Sequence, residues 1–414
     1  MTPSLSMLGP KSRVFAIIAL VGTILGLIFS AVSTLDYAAH LDRNLHDVHC
    51  SFIPGAPAEA EAEGCRAAMY SAYSAVLKEA HWGGLPVTLF ALGAFAFFAG
   101  FSVYLAVAGP RASAVAVGFF AAVATTPSLV SLYMLFISLV RLGVVCETCI
   151  GIYISSALVS LGGLMGLLTL RKPRPSPGQE PPPARPRMSL LFPVAWAAAL
   201  GFSTLLPSAV YATQAPDHRP YLNQCGALKR PPAEKDQLLS VTPPHAVKTA
   251  ILIQDPLCAT CKALHQRLVT EHILDRLSLE LVMFPLDNSC NWMLDRPLHP
   301  GACMVSKAVL CGHERALQVL EWAYDEQDYL TRAGKRNEAT VRAVLQQRWG
   351  SQMVACVDSK ETAERLNRHL HFAAENGIAV STPQVFLGTQ RLCDEDTDIG
   401  LKYTLKQLAP EVLP

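Results

Sequence analysis

Long unbroken apolar runs fill the first half of the chain, and shorter strand-like and helix-like patterns fill the second. Five runs, near 14–35, 83–108, 113–138, 144–170 and 188–212, are each long enough to cross a bilayer, which takes about 20 residues. The first follows Lys11 and Arg13. It is longer than the apolar core of a signal peptide and more spans follow, so it reads as a retained helix. From residue 246 the period changes. AVKTAILIQ (246–254), LELVMFPL (279–286) and PQVFLG (383–388) read as short strands. A helix is expected from the Cys-x-x-Cys at 258–261 to about 275. Residues 302–376 are mostly helical in period with a break at Gly350, and 397–409 reads as a closing helix.

Composition agrees with a membrane protein. Of 414 residues, 51% are hydrophobic and only 16% charged, and the mean hydropathy is +0.29. The net charge of +1 gives no argument for nucleic acid, and no Gly-rich phosphate loop is present. Lys11, Arg13, Arg111, Arg171, Lys172, Arg174, Arg185 and Arg187 all fall on one side of the predicted spans, which is then the cytoplasm. Segment 36–82, with Asp42, Asp47, Glu59, Glu61, Glu63 and Glu79, falls on the other. With five spans the C-terminal half also lies outside, where twelve cysteines are best read as disulfides and redox thiols.

Two Pro-rich stretches divide the chain. Segment 173–187 (PRPSPGQEPPPARPR) reads as a stiff cytoplasmic connector before the fifth span, 188–212. Segment 213–245 reads as an outer linker with a reach of about 30 Å. The domain plan is therefore a transmembrane part at 1–172, the two linkers around the fifth span, and an α/β domain at 246–414.

The motif DPLCATC places Cys258 and Cys261 where a strand turns into a helix. A helix N-terminus stabilises the first thiolate, and the second Cys resolves mixed disulfides. A zinc site would need two further ligands; Cys290 and Cys303 are available but lack a second tight pair. This stretch resembles the thioredoxin superfamily, especially its DsbA-like branch with a helical insertion. The resemblance implies a cis-proline opposite the dithiol, and STPQVFLG supplies it as Thr382-Pro383. The dipeptide Ala259-Thr260 departs from the Pro-His of the best-known oxidants.

The second pair, Cys146 and Cys149 in VVCETC, sits at the outer end of the fourth span, and the first outer loop carries Cys50 and Cys65. His46, His49 and His81 in that region read as solvated loop residues rather than metal ligands. Two Cys in a loop and two at a helix lip allow an electron relay, and an apolar pocket beside Cys149 suits a quinone. The arrangement over about 14–170 resembles the vitamin K epoxide reductase family. It is carried by Cys50, Cys65, Ser71 in SAYS, Gly84-Leu85-Pro86, Tyr133 in SLYML and Cys146/Cys149. The resemblance implies a four-helix bundle holding a quinone, with Cys149 facing it, Cys146 meeting a loop Cys, and Ser71 (or Ser74 in another register) and Tyr133 nearby. The loop departs from the family in its length, since positions 51–64 separate its two Cys.

The expected protein is a fusion: a four-helix transmembrane bundle with a fifth spanning helix, then a thioredoxin-like domain with a helical insertion. Its expected activity is oxidation of thiols in exported substrate proteins. Electrons pass from Cys258/Cys261 through Cys50/Cys65 and Cys146/Cys149 to ubiquinone or menaquinone, with no metal and no nucleic-acid partner. Pro383 shapes the CATC site. The place is the bacterial inner membrane, multi-pass, with the thioredoxin-like domain in the periplasm. Two other readings stand beside it. One is a disulfide isomerase or reductase running electrons outward, to which Thr before the cis-proline also conforms, although the inner loops hold no Cys to feed it. The other is a membrane-anchored binding module whose Cys are all structural. Six Cys remain. Cys290 with Cys303, bracketing a loop closed by His-Pro-Gly, is the first pairing expected, followed by Cys311 with Cys356 and Cys225 with Cys393.

Overall fold

The computed structural model describes residues 13–39, 68–109, 112–143, 146–170, 191–232 and 238–414. The chain divides into two compact units, Met1–Pro216 and Asp217–Pro414.

The first unit is helical. Its helices are α1 (Val14–Ala39), α2 (Val87–Ala108), α3 (Ala114–Val123), α4 (Thr126–Phe136), α5 (Glu147–Leu168) and α6 (Leu191–Gln214). Helices α3 and α4, with a π-helical turn at Ile137–Leu142, form one span. Among the described residues five helices are thus long and apolar enough to cross a membrane, close to the five runs seen in the sequence. They pack through small residues, as helices without a hydrophobic drive between them must. A Cβ at Gly162 of α5 would lie 2.7 Å from Ala19 Cβ and from the Phe15 carbonyl of α1. One at Gly93 of α2 would collide with the Ser203 backbone of α6. Hydroxyl pairs Ser131–Ser156 (3.0 Å) and Ser128–Ser160 (2.6 Å) tie α4 to α5. Phe95, Phe98, Leu105 and Phe120 fill the interior. Between α1 and α2 a short hairpin pairs β1 (Ala75–Val76) with β2 (Leu85–Pro86).

The second unit is built on a five-stranded sheet in the order β3-β5-β4-β6-β7. The strands are β3 (Leu239–Val241), β4 (Lys248–Gln254), β5 (Leu277–Met283), β6 (Gln384–Leu387) and β7 (Gln390–Arg391). β4 and β5 are parallel and the other pairs antiparallel. Helix α7 (Ala259–Thr270) is the crossover from β4 to β5, as a parallel pair requires. Six helices are inserted between β5 and β6: α8 (Ala302–Cys311), α9 (Ala316–Asp325), α10 (Gln327–Arg336), α11 (Glu338–Trp349), α12 (Ser351–Val357) and α13 (Lys360–Glu375). Helix α14 (Leu401–Leu408) closes the unit. This is the thioredoxin-like arrangement with a helical insertion that the sequence implies, and Thr382–Pro383 is cis.

Three disulfides close this unit: Cys225–Cys393, Cys290–Cys303 and Cys311–Cys356. All three match the expected pairings. Cross-linking segments 13, 45 and 168 residues apart removes unfolded-state entropy worth roughly 3–5 kcal/mol each in the chain-entropy account.

The outer linker expected over 213–245 needs correction. Helix α6 runs on to Gln214, and the described residues from Asp217 onward fold with the second unit. Cys225 is bonded to Cys393, the Leu228 N–H donates to the Thr389 carbonyl at 2.8 Å, and Leu239–Val241 forms the edge strand β3. Leu228 and Leu238 are buried against Ile251, Phe284 and Phe386. The physical reason is local: a few apolar side chains and one Cys anchor a segment whose prolines suggest a free tether. The Pro-rich connector 173–187 lies outside the described residues.

Candidate functional site

The second unit presents its dithiol where β4 ends. After Gln254 the chain turns through Asp255-Pro256-Leu257, and Cys258 becomes the N-cap of α7. Asp255 builds that turn. It is fully buried, and its Oδ1 accepts the Leu257 N–H at 2.7 Å. Its Oδ2 accepts the Leu286 N–H at 2.8 Å and faces His299 Nδ1 at 2.8 Å. Asp287 repeats the device by accepting the Ser289 and Gly301 N–H groups at 3.0 and 2.7 Å. Two buried carboxylates thus fix the loops at the C-terminal end of the sheet. Charged groups survive burial only when saturated with hydrogen bonds in this way.

Cys258 and Cys261 are the free thiols among the described residues. The Cys258 sulfur lies 2.9 Å from Thr260 Oγ1 and 3.5 Å from the Thr382 carbonyl, and Thr260 Oγ1 also reaches that carbonyl at 3.2 Å. Thr260 has one proton to give. Both the Thr382 carbonyl and the Cys258 sulfur lie within its reach. Thr382 Oγ1 is buried without another partner and is a further donor on that side.

The Cys258 pKa is pulled down to about 5 from an ordinary 9.0, first by the hydrogen bond from the Cys261 thiol. Burial opposes the fall, and the Thr260 and Thr382 side chains and the Cys261 N–H add to it. Cys261 moves the other way, raised by complete burial and by the Cys258 thiolate. The pair therefore splits into one nucleophile and one thiol held in reserve. Burial pulls His299 down, but the hydrogen bond and charge of Asp255, with the Cys258 charge, outweigh it, so its pKa rises.

A titration follows. Alkylation of the reduced protein at Cys258 is expected to rise with a midpoint near pH 5, followed by peptide mapping after iodoacetamide pulses. A midpoint above pH 8 would contradict the hydrogen-bond network. Because the folded value lies below the unfolded one, thiolate stabilisation of the reduced domain is complete above about pH 9. It is lost as pH falls through about 5.

In the first unit, Cys146 is the N-cap of α5, and its sulfur accepts the Cys149 N–H at 3.3 Å. The two Cys form a disulfide. Both line a cavity of about 90 Å³ with side chains from α1, the 68–76 turn, α2 and the span containing α4. Ser71, Ser74, Tyr37 and Tyr153 bring hydroxyls to it, and Val87, Met134 and Ile137 bring apolar surface. The Tyr37 hydroxyl is engaged with the Gly83 carbonyl.

The structure brings Ser71, Cys146 and Cys149 together, and it brings Ser74 with them, so both registers open on the same space. Tyr133 is not among the lining residues. It is 61% exposed on the outer face of α4, between Leu132 and the cavity-lining Met134. The phenol that does line the cavity is Tyr153, one turn after Cys149. Its i+4 spacing on a single helix is the signal that finds it. Cys50 and Cys65 lie outside the described residues.

Residues 17–161 match the Vitamin K epoxide reductase family. Among solved structures, the oxidoreductase NmDsbA1 from N. meningitidis is a neighbour at 15% identity and a TM-score of 0.31, with 45% of this chain and 90% of that one covered. No curated protein matches the chain. Residues 17–161 are thus a domain of the vitamin K epoxide reductase family. The chain joins that domain, with its Cys146–Cys149 pair, to a thioredoxin-like unit that carries a second Cys-x-x-Cys pair.

Proposed function

We propose that the chain is a thiol oxidase that makes disulfides in exported proteins and delivers the electrons to a membrane quinone. The observation that carries this reading is a Cys-x-x-Cys disulfide in the wall of a largely apolar cavity among helices of membrane-spanning length. A second dithiol with a low-pKa Cys stands in the α/β unit. One dithiol meets proteins in water, and the other meets a lipid-soluble oxidant.

A substrate thiolate attacks Cys258 of the oxidised CATC pair, and a second substrate thiol displaces it. The substrate leaves with a disulfide, and Cys258 and Cys261 are left reduced. They reduce the Cys50/Cys65 pair, which reduces Cys146–Cys149. The Tyr153 hydroxyl suits a ring oxygen of a quinone, Ser71 and Ser74 line the polar wall with their protons given to the Ala68 and Ser71 carbonyls, and Val87, Met134 and Ile137 suit the ring. Tyr133, on the outer face, is left without a place in this scheme.

A bound quinone supplies a two-electron, two-proton acceptor. One dithiol becomes one disulfide for each quinone reduced. Quinone potentials lie well above those of protein dithiols, and each 30 mV of the gap is worth about 1.4 kcal/mol. Substrate oxidation is the downhill direction. Ubiquinone and menaquinone both meet the requirement. The Lys/Arg distribution and the three structural disulfides support an α/β unit on the periplasmic side of a bacterial inner membrane.

The test is quinone absorbance in purified full-length protein supplied with a reduced dithiol peptide. Quinone loss matched one-for-one by peptide disulfide is the expected result. Peptide disulfides that shuffle while quinone stays untouched would move the protein to the isomerase or reductase class.

A further inference from the structure

Lys78 is 5% exposed, a rare state for a lysine. Its Nζ donates to the Ser71 carbonyl at 2.7 Å and lies 3.4 Å from Ser74 Oγ. Ser71 and Ser74 both line the cavity that holds Cys146 and Cys149. The ammonium therefore stands directly behind one wall of that cavity.

The hairpin is shaped around the lysine. β1 and β2 pair Ala75 with Pro86 and Val76 with Leu85, and the intervening loop turns back at Leu77, whose φ of 54° is left-handed. Gly84 has φ +76°, and a Cβ there would lie 2.6 Å from the Val76 carbonyl and 2.9 Å from Lys78 Cγ. The glycine at 84 thus leaves room for the lysine stem.

The Ser71 turn does not need this cation to form. The Ser71 carbonyl already accepts from Ser74 Oγ at 3.0 Å and from the Ser74 N–H at 3.4 Å, and a neutral side chain would fill the same space. Burying an ammonium is costly, and Lys78 is buried in the hairpin between the first two spans. A fixed charge behind a cavity wall acts on whatever negative charge develops inside, and it does so without reorganising.

We infer that Lys78 is an electrostatic positioning residue of the cavity. It holds the Ser71–Ser74 wall and favours ligands that carry, or acquire on reduction, negative charge on a ring oxygen. The inference rests on the quinone reading above and adds a residue and a ligand preference to it.

The test uses purified full-length protein, wild type, Lys78→Met and Lys78→Arg. Two probes are compared: a ring-hydroxylated naphthoquinone that is ionised at neutral pH, and its uncharged methyl ether. Equilibrium binding is measured for both. Wild type is expected to bind the anion better. Lys78→Met should weaken anion binding about tenfold while changing ether binding less than about threefold, and Lys78→Arg should keep the anion preference. In turnover, Lys78→Met should lower kcat for quinone reduction roughly 10- to 100-fold with KM nearly unchanged.

Equal weakening of both probes would make Lys78 a structural plug and overturn the inference while leaving the quinone reading intact. Should Lys78→Met fail to fold, the wild-type ratio decides alone: equal affinity for anion and ether overturns the inference. A wild type that binds neither probe and reduces no quinone overturns the proposed function, and this inference with it.

Discussion

Cys149→Ser is expected to end quinone reduction, with a fall on the order of a thousandfold or more. A serine hydroxyl is a far weaker nucleophile than a thiolate and cannot close a disulfide. The substitution costs little in fold, because Cys149 is only half-buried and its N–H still reaches Cys146 within the first turn of α5. It also leaves Cys146 without its partner. The Cys146 thiolate can still attack the oxidised Cys50–Cys65 pair, bonding to one loop sulfur and releasing the other as a thiol, and with no Cys149 to displace it that mixed disulfide persists. Mass spectrometry of the unreduced variant is expected to find Cys146 joined to either Cys50 or Cys65, which identifies the inner member of the relay. Cys146→Ser should block electron entry instead, leaving Cys149 as a free thiol in the cavity wall. Quinone turnover by Cys149→Ser above about a tenth of wild type would remove Cys149 from the terminal step.

The spans, the CATC turn, the cis-proline and the three structural disulfides were legible because each leaves a local mark. A run of more than 20 apolar residues has few other fates. A strand that ends in Asp-Pro before Cys-x-x-Cys announces a helix N-terminus. Other features leave no such mark. β3 is three residues long, too short for a period, and it lies in a stretch whose prolines suggest a linker. Tyr133 lies off the cavity for a different reason. Its helix has apolar residues on every side and only small hydroxyls at Thr126, Ser128 and Ser131 to break the pattern, a weak mark of its rotation, and neighbouring Met134 lines the cavity instead. Asp255, His299 and Lys78 were also invisible as site residues. A lone Asp, His or Lys in a loop reads as solvated until the fold shows it buried, as for Asp255 and Lys78, or paired with a buried carboxylate, as for His299.

Cys258→Ser and Cys261→Ser are expected to fail in opposite ways, and the difference tests the division of labour in the CATC pair. Cys258 keeps a window of exposure and an ionised sulfur, whereas Cys261 is 1% exposed and its pKa is raised. A fall in the Cys258 pKa from 9.0 to about 5 corresponds to about 5 kcal/mol in favour of the thiolate. That makes Cys258 a good leaving group and tilts the exchange toward an oxidised substrate. Cys258→Ser should therefore lose peptide oxidation on the order of a thousandfold or more and form no adduct, since the buried Cys261 cannot be reached. Cys261→Ser should lose turnover to the same degree, because Cys258 alone cannot hold the disulfide that oxidises the next substrate. Treated with a disulfide-activated peptide, however, it should accumulate a mixed disulfide at Cys258 that wild type resolves. Non-reducing gels and intact mass separate the two outcomes. Adducts on Cys261 in the Cys258→Ser protein would reverse the assignment, placing the nucleophile one turn deeper in α7 than burial and hydrogen bonding allow.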